Sequence, residues 1–459
     1  MLANLKMWLH KEPPGRIIVV SFAIIILTGS LLLCLPACTR PGKSTSYLDA
    51  LFTAGSATCV TGLTLFDTYR HWTTLGQVFI LMLIQVGGLG LVTFTTGFTL
   101  LMRKKLGLRN MELAVENTNG DSGDIGSLVR MILKFTFSCE GIGALILMIR
   151  FLPQMGAHGI WVSVFLAVSA YCNAGFDILG SVMENGNLIP YAADPLVCLT
   201  IDMLIIVGGL GFVVIADICH SKLQPTLHGQ HRHSLGFHSR IVLSMAILLI
   251  ILGTIVFMVL EYKNTLASLP NFGAKLNAAL LQSVSPRTAG FASVDLSKEY
   301  DFTKIFTVLL MFIGAAPGST GGGIKTTTML VLLCCVHSVL RGQPEAIFHH
   351  RRIDKFTVYR ALAICGVGML VVLIVTGIIT STTPNVNGVD ALYEATSAFG
   401  TVGLTAGVTP RLSPISRIAI ILTMYIGRVG PVSLGLAVSI KHGHIHTDSV
   451  LPEGKIIVG

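Results

Sequence analysis

Charged side chains are scarce in this sequence, and their scarcity speaks against a soluble globular protein. Asp, Glu, Lys and Arg make up 12% of the 459 residues, while apolar residues make up 52% and the mean hydropathy is +0.74. A soluble domain of this length needs far more charge to cover its surface. Apolar runs of about 20 residues, the length that crosses a bilayer, recur along the chain, for example at 16–35 and 240–260. The sequence therefore predicts a polytopic membrane protein.

Enzyme and metal motifs are missing as well. The chain contains no HExxH, no GxSxG and no paired intramembrane aspartates, so an intramembrane enzyme has no support and we predict no enzyme activity. The ten cysteines lack the paired spacing of a zinc site. Cys34 and Cys38 flank a proline, but one close pair makes no disulfide framework. We interpret all ten as packing residues.

The net charge of +9 is explained by topology rather than by a nucleic-acid partner. Lys and Arg exceed Asp and Glu at the N-terminus, 102–130, 218–240, 334–360 and the C-terminus, whereas the intervening connections are roughly balanced. This is the positive-inside bias. We expect both termini to be cytoplasmic, in a multi-pass protein of the cytoplasmic membrane. No small-residue cleavage site follows the first apolar run, which we expect to be retained.

A short loop with one glycine and a following large apolar residue occurs four times. The loops are TCVTGL (58–63), YCNAGF (171–176), PRTAGF (286–291) and FGTVGL (399–404), with Gly62, Gly175, Gly290 and Gly403 as their glycines. The glycines are 113, 115 and 113 residues apart, and the segments 49–63 and 390–404 share eight of fifteen residues. A fixed period of this kind indicates tandem repeats.

Each repeat predicts a long apolar helix, a half-helix too short to span, the glycine loop and a second long helix. The fold class is therefore all-α, with four tandem helix–pore-loop–helix repeats around a central pore and eight transmembrane helices. The repeats are assigned to 1–110, 111–225, 226–350 and 351–459. We expect first helices near 16–35, 127–151, 239–261 and 356–380. Half-helices are expected near 46–57, 160–170, 274–284 and 387–398, and second helices near 73–101, 196–218, 303–340 (interrupted) and 414–440.

The chemistry of the loops suits a dehydrated cation. Non-helical backbone survives at membrane depth only where it is buried in protein or lines a cavity, and backbone carbonyls on one axis can replace a hydration shell. Glycine supplies the positive φ that such a turn requires. Asp49 and Asp390 near the half-helix starts favour helix N-termini, which leaves the partly negative C-termini facing the loops. A single such glycine would more simply serve a turn or helix crossing; four in register favour a pore.

Acidic residues follow three of the loops, and two interpretations of them stay open. Asp67, Asp177 and Asp295 could raise the local cation concentration at an outer mouth. Equally, they could cap outer helices.

The third repeat contains an interrupted segment, FIGAAPGSTGGGIKTTTMLVL (312–332), with one proline and five glycines. Such a stretch cannot stay regularly helical, and we expect a loop at membrane depth on the cytoplasmic side of the pore loops. GSTGGGIKT nearly reads as a phosphate-binding loop. However, Ile324 separates Gly323 from Lys325, and no strand precedes the segment, so no nucleotide site is predicted on this chain.

Arg428 lies mid-way along an otherwise apolar helix. A charge at this depth usually faces a cavity or a partner. One interpretation is a buried ion pair with Glu140 that holds two helices together. The other is that Arg428 lines the cavity, contacts the interrupted loop and closes the path electrostatically. Lys325 is expected to have a similar role.

These loops, their spacing and the interrupted segment resemble the Trk/Ktr/HKT superfamily of potassium transporters over essentially the whole chain, and specifically its Ktr-type membrane subunit. The Trk-type subunit has two additional N-terminal helices, whereas this chain begins with repeat one. The resemblance implies a selectivity filter at the first five residues of each loop. These are Thr58, Cys59, Val60, Thr61 and Gly62; Tyr171, Cys172, Asn173, Ala174 and Gly175; Pro286, Arg287, Thr288, Ala289 and Gly290; and Phe399, Gly400, Thr401, Val402 and Gly403.

The resemblance also implies roles outside the filter carbonyls. Sodium-favouring plant members replace the first-loop glycine by serine, so Gly62 favours potassium. Arg287 is expected to point away from the pore and brace its loop. The segment 314–328 is expected to act as a gate under the filter. Its residues are Gly314, Pro317, Gly318, Gly321, Gly322, Gly323 and Lys325, with Arg428 beside them.

The implied function is channel-like uptake of K⁺ held at the filter carbonyls, with Na⁺ as a candidate coupling or stimulating ion. Implied partners are a second copy in a homodimer, a cytoplasmic ring of KtrA-like nucleotide-binding regulatory subunits, and membrane lipid. The alternatives are an alternating-access cation carrier and a Trk-type or sodium-permeable relative. All four repeats run in the same orientation, which disfavours the inverted repeats of such a carrier.

Overall fold

The described part of the chain is almost entirely helical. A computed structural model describes residues 14–90, 125–219, 221, 235–343, 345–348 and 351–430. Outside these residues lie both predicted cytoplasmic termini, most of the basic stretches 102–130 and 218–240, and the predicted distal ends of two second helices at 91–101 and 431–440.

The same order of helices recurs in the four quarters of the chain. The first quarter contains α1 (Pro14–Leu33), α2 (Tyr47–Thr58) and α3 (Thr74–Leu89). The second contains α4 (Ile125–Met155), α5 (Ala157–Tyr171), α6 (Pro195–Gly209) and α7 (Phe212–Ile218). The third contains α8 (Phe237–Glu261), α9 (Phe272–Val284), α10 (Asp301–Phe312) and α11 (Thr326–Leu340). The fourth contains α12 (Lys355–Thr382), α13 (Gly388–Gly400) and α14 (Pro414–Val429).

Smaller elements lie in the connections. A hairpin pairs β1 (Ile347–Phe348) with β2 (Arg351–Arg352) in antiparallel register. One-turn helical segments lie at Pro36–Cys38, Thr68–His71, Ile189–Tyr191, Thr265–Ser268, Leu296–Lys298 and Thr409–Arg411.

The long first helices are the clearest candidates to cross a membrane. Among the described residues, four helices are long and apolar enough, at 16–33, 129–155, 237–261 and 355–382, and the α6–α7 pair qualifies as a fifth, bent span. Helix α8 leaves Ile247, Leu248 and Ile255 more than half exposed, as an apolar helix does in lipid. The first helices and half-helices are confirmed to within a few residues. The total of eight spans and the repeat boundaries stay predictions.

One predicted second helix is not continuous. We expected a regular helix over 196–218 and an interruption only in the third repeat, but α6 and α7 are bent by 98° at 210–211. Gly211 has a φ of +88°, and the next amide, of Phe212, donates to the carbonyl of Gly318 at 2.9 Å. The helix is thus bent at a positive-φ glycine, at the point where the interrupted loop of the third quarter packs against it.

The short helices α2, α5, α9 and α13 form the buried centre, and polar contacts join each one to the preceding quarter in a closed ring. Trp161 of α5 donates to Gln77 of α3 at 2.9 Å. Asn277 of α9 donates to the carbonyl of Ala192 at 3.0 Å. The ring continues through two ion pairs, Lys304–Asp390 at 2.7 Å and Arg417–Asp49 at 2.5 Å. The two aspartates predicted at half-helix starts lie in the first turns of α13 and α2.

Candidate functional site

Each glycine loop turns back on the short helix that precedes it. The amides of Thr61, Ala174 and Val402 donate to the carbonyls of Ser56, Ser169 and Ser397 at 2.7–2.8 Å. The hydroxyls of Ser56 and Ser397 also accept the amides of Gly62 and Gly403, at 3.1 and 3.0 Å. Each of these serines lies six residues before its loop glycine. Sequence reasoning missed this brace, although the recurring triplets SAT, SAY and SAF carried the signal.

The four loop glycines meet around one point in cyclic order. A methyl group built on Gly62 would overlap the carbonyl oxygen of Ala174, and one on Gly175 would lie 2.6 Å from that of Ala289. A methyl group on Gly290 would overlap the carbonyl of Val402, and one on Gly403 that of Thr61. Since each glycine abuts the residue before the next glycine, the structure brings all four predicted loops together. No larger residue fits at these positions without displacing the neighbouring loop.

Every loop contains two residues with positive φ rather than the one expected. The glycines have φ values of +91°, +68°, +78° and +95°, and the residues two positions earlier, Val60, Asn173, Thr288 and Thr401, have φ values of +57°, +59°, +76° and +50°. The residue between them is not in this region. This alternation turns successive carbonyls toward the same side of the loop. Left-handed φ is costly for β-branched residues, so the valine and the two threonines are held there by the surrounding packing.

A cavity of about 340 Å³ lies above the ring and is lined by all four loop glycines. Asp67, Asp177 and Asp295 line it too. All three also cap turns, accepting the amides of Arg70, Leu179 and Ser297 at 2.9, 3.0 and 3.2 Å, respectively. The structure therefore shows the capping role that we had left open, and it places the same carboxylates at the cavity.

The other side chains of the four loops are buried, and among them Leu404 alone lines this cavity. Cys59, Cys172, Tyr171 and Phe399 are fully buried, and all ten cysteines of the chain are free. Arg287 is also buried, but its Nε has no hydrogen-bond partner among the described residues. The predicted brace through this side chain is therefore not confirmed.

The interrupted segment lies directly beneath the loops. The amide of Gly322 donates to the hydroxyl of Thr401 at 3.0 Å, and the hydroxyl of Thr320 donates to the carbonyl of Tyr171 at 3.3 Å. A methyl group on Gly321 would overlap the hydroxyl of Thr288. The predicted interruption is thus confirmed as a break between α10 and α11, and it touches three of the four glycine loops; its depth in the membrane stays a prediction.

Arg428 joins this segment to the first quarter. Its guanidinium donates to the carbonyls of Thr320 and Gly87 and, at 3.4 Å, to that of Gly88. The alternative pairing with Glu140 is wrong, because within the described chain Glu140 bonds Gln85 and Cys172 instead. Lys325 forms a hydrogen bond within the interrupted segment, since its Nζ donates to the carbonyl of Gly321 at 2.7 Å.

This arrangement has counterparts among known proteins. A family model described as "TrkH: Cation transport protein" matches residues 14–446. The chain belongs to this family. The potassium/sodium uptake protein NtpJ of Enterococcus hirae is 38% identical over 97% of each chain, and the Ktr system potassium uptake protein B of Bacillus subtilis is 39% identical over 93% of each. The resemblance to Ktr-type membrane subunits is thereby confirmed.

The fold of this TrkH-family protein is also that of a solved structure. The potassium transporter TrkH from Vibrio parahaemolyticus superimposes with a TM-score of 0.71 at 16% identity, and the match covers 93% of this chain and 85% of that one. At this identity the likeness shows the fold. The curated relatives carry transporter names, in line with the prediction of a protein without enzyme activity.

Three further glycines support the loops from below, and sequence reasoning did not assign them. Each of them packs against the carbonyl oxygen of the first residue of a loop, so that an added methyl group would overlap that oxygen. The pairs are Gly87 with Thr58 of the first loop, Gly208 with Tyr171 of the second, and Gly427 with Phe399 of the fourth. Their signal was the recurring glycine-bearing helix segment, IQVGGLG, IIVGGLG and YIGRVGP. The repetition of this segment is visible in the sequence, but the loop carbonyl that packs against each glycine is not.

Proposed function

We propose that this TrkH-family protein is a channel-like potassium transporter. In this proposal K⁺ loses its hydration shell to the backbone carbonyls of the four loops at 58–62, 171–175, 286–290 and 399–403. The observation that carries it is the cyclic meeting of four positive-φ glycines under an acidic cavity. The names of the Bacillus and Enterococcus relatives support potassium as the ion, and the second name makes sodium the competitor to test.

The intramembrane segment 314–328 is proposed as the gate. Its contacts with Thr288, Thr401 and the carbonyl of Tyr171 support an obstruction just below the filter. The guanidinium of Arg428 supplies a fixed positive charge on the same path, which opposes cation passage. Opening then requires the segment to leave its contacts with α6 and α14.

Assembly and orientation follow the same proposal. We infer a homodimer in the cytoplasmic membrane, with both termini inside and a nucleotide-binding regulatory ring of the KtrA kind on the cytoplasmic face. The Ktr system named in the Bacillus relative supports a membrane subunit that works with others. Copurification of the chain with a cytoplasmic nucleotide-binding protein would test this arrangement.

The proposed function is tested by ion flux. Expressed in cells that lack their own potassium uptake systems, the chain is expected to restore growth at low K⁺ and to accumulate K⁺ in preference to Na⁺. Single-channel steps in planar bilayers would support the channel-like mechanism. Saturable exchange without resolvable conductance would favour an alternating-access carrier instead.

The outer carboxylates predict a pH dependence of K⁺ uptake. Burial, together with the nearby Asp67 carboxylate, raises the pKa of Asp177 to about 6, although the amide of Leu179 partly offsets the rise. Asp177 is therefore charged at external pH 7.5 and becomes neutral as the pH falls through about 6. The loss of this charge from the cavity wall should raise the KM for K⁺ about two- to threefold.

The matched variant is Asp177→Asn, measured as initial K⁺ uptake rates between external pH 5 and 8. It is expected to show the raised KM at every pH and no inflection near 6. An unaltered inflection in this variant would assign the titration to another group.

A further inference from the structure

Behind the second pore loop, away from the proposed ion path, three polar side chains form a closed network. Gln85 of α3 donates to Glu140 of α4 through Nε2, at 3.0 Å to Oε1 and 3.4 Å to Oε2. The thiol of Cys172 lies 3.8 Å from Oε1 of Gln85 and 3.8 Å from Oε1 of Glu140. Because Cys172 belongs to the loop, the network connects the loop to two helices from different quarters of the chain.

The position of the Cys172 side chain is narrowly fixed. It is fully buried, and a methyl group on Gly88 would lie 2.6 Å from its sulfur. Its amide donates to the carbonyl of Val168 at 2.9 Å. The next residue, Asn173, has the left-handed φ that begins the carbonyl alternation. A displacement of the cysteine sulfur would therefore also displace the turn at Asn173, which sets the direction of the carbonyls in the second loop.

Apolar surroundings make this network costly to break. A crevice of about 450 Å³ between α3, α4 and α5 reaches Gln85 and Glu140, and its other lining residues are predominantly apolar, among them Met82 and Trp161. Glu140 is only 6% exposed, and no basic side chain of the described residues pairs with it. A buried carboxyl group without a cation must keep its hydrogen-bond partners, which holds Gln85 and Cys172 in place.

The other three loops lack this support. The residues that match Cys172 in them are Cys59, Arg287 and Gly400. None of these forms a side-chain hydrogen bond with a carboxyl group of the described residues. Among the described residues, the second loop alone is thus joined to a carboxyl group by a side-chain hydrogen bond from this position.

We propose that Glu140 is a positioning residue for the second pore loop and so helps to set the discrimination between K⁺ and Na⁺. The inference rests on the proposed function of the loops as a filter. Glu140 never meets the ion; it acts through Cys172 on the carbonyls that do. A slack second loop accommodates the smaller Na⁺ more readily, because its carbonyls can close in on that ion.

The test compares Glu140→Leu, which keeps the volume and removes the hydrogen bonds, with Glu140→Gln, which keeps both. Met82→Leu, on the exposed rim of the same crevice, is the control for changes in the crevice wall. K⁺ uptake KM, Vmax per membrane-inserted protein and the inhibition constant for Na⁺ are measured in whole cells. Glu140→Leu is expected to lose about tenfold in K⁺ over Na⁺ discrimination, equivalent to about 1.4 kcal/mol. Glu140→Gln and Met82→Leu should stay within about twofold of the parent.

Gly175→Ser, measured in parallel, separates the two levels of inference. If it changes selectivity but Glu140→Leu lowers only the amount of protein in the membrane, the positioning role is overturned and the filter stands. A loss of selectivity in Glu140→Gln equal to that in Glu140→Leu also overturns it, because the hydrogen bonds are then not what matters. Unchanged selectivity in Gly175→Ser overturns the filter and this inference with it.

Discussion

Removal of residues 317–323 is expected to raise the maximal K⁺ transport velocity about tenfold or more and to loosen its dependence on regulatory partners. The deletion is structurally feasible because the two ends of the segment already meet. The amide of Gly314 donates to the carbonyl of Ile324 at 2.7 Å, and that of Thr326 to the carbonyl of Ala315 at 3.3 Å. What is lost is the part that lies under Thr288 and Thr401.

Arg428→Ala should act in the same direction. It removes a donor that holds the segment through the carbonyl of Thr320 and a positive charge beside the path. One such charge at about 4 Å costs a passing cation about 4 kcal/mol at an effective dielectric near 20, and each 1.4 kcal/mol removed corresponds to about tenfold in rate. Arg428→Lys keeps the charge but loses the planar guanidinium group that donates to several carbonyls at once. We therefore expect a velocity between those of the parent and Arg428→Ala.

Flux must be divided by the amount of folded protein in the membrane for each variant. Arg428→Ala leaves the carbonyls of Thr320, Gly87 and Gly88 without this donor, which lowers stability by about 1–3 kcal/mol for each group left unpaired. Slower flux per folded protein in both the deletion and Arg428→Ala would show that this region supports permeation rather than restraining it.

Gly290→Ser is expected to lower K⁺ over Na⁺ discrimination by about tenfold, which corresponds to about 1.4 kcal/mol. The first added atom of the side chain would overlap the carbonyl oxygen of Val402 and lie 3.2 Å from the Cα of Gly403, and the φ of +78° adds strain for any L-residue. The substitution therefore displaces two loops at once. Gly62→Ser should behave alike, because its side chain would meet the carbonyl of Ala174.

The matched control is Gly366→Ser on α12, where an added side chain meets nothing within 4 Å and φ lies outside the positive range. It should leave uptake unchanged. The measurement is K⁺ uptake affinity with and without external Na⁺. If Gly290→Ser and Gly62→Ser both kept the parent affinity and selectivity, the filter assignment would be wrong.

Sequence reasoning found the long first helices and the half-helices because each depends on local properties. Apolar length predicts α1, α4, α8 and α12, and the recurring glycine loops locate the short helices before them. It failed at α6, where an apolar stretch with the same composition as a regular helix is bent by 98°. The bend lies at Gly211, which has a positive φ, and the next amide donates to the carbonyl of Gly318, more than a hundred residues away in sequence. That partner cannot be read from the local sequence.

Composition and local pattern were enough to predict the membrane class, the four loop glycines with their period, and the broken segment with its proline and glycines. These features follow from composition and from the backbone conformations that glycine and proline allow, and both are properties of the individual residues. The three-dimensional fold was needed to see that the glycines abut one another in a ring and that Arg428 donates to backbone carbonyls rather than to Glu140. The fold also brings the Cys172 thiol within 3.8 Å of the Glu140 carboxyl group. The hydrogen-bond partners of a side chain depend on which helices pack against each other, and that packing is a property of the whole fold.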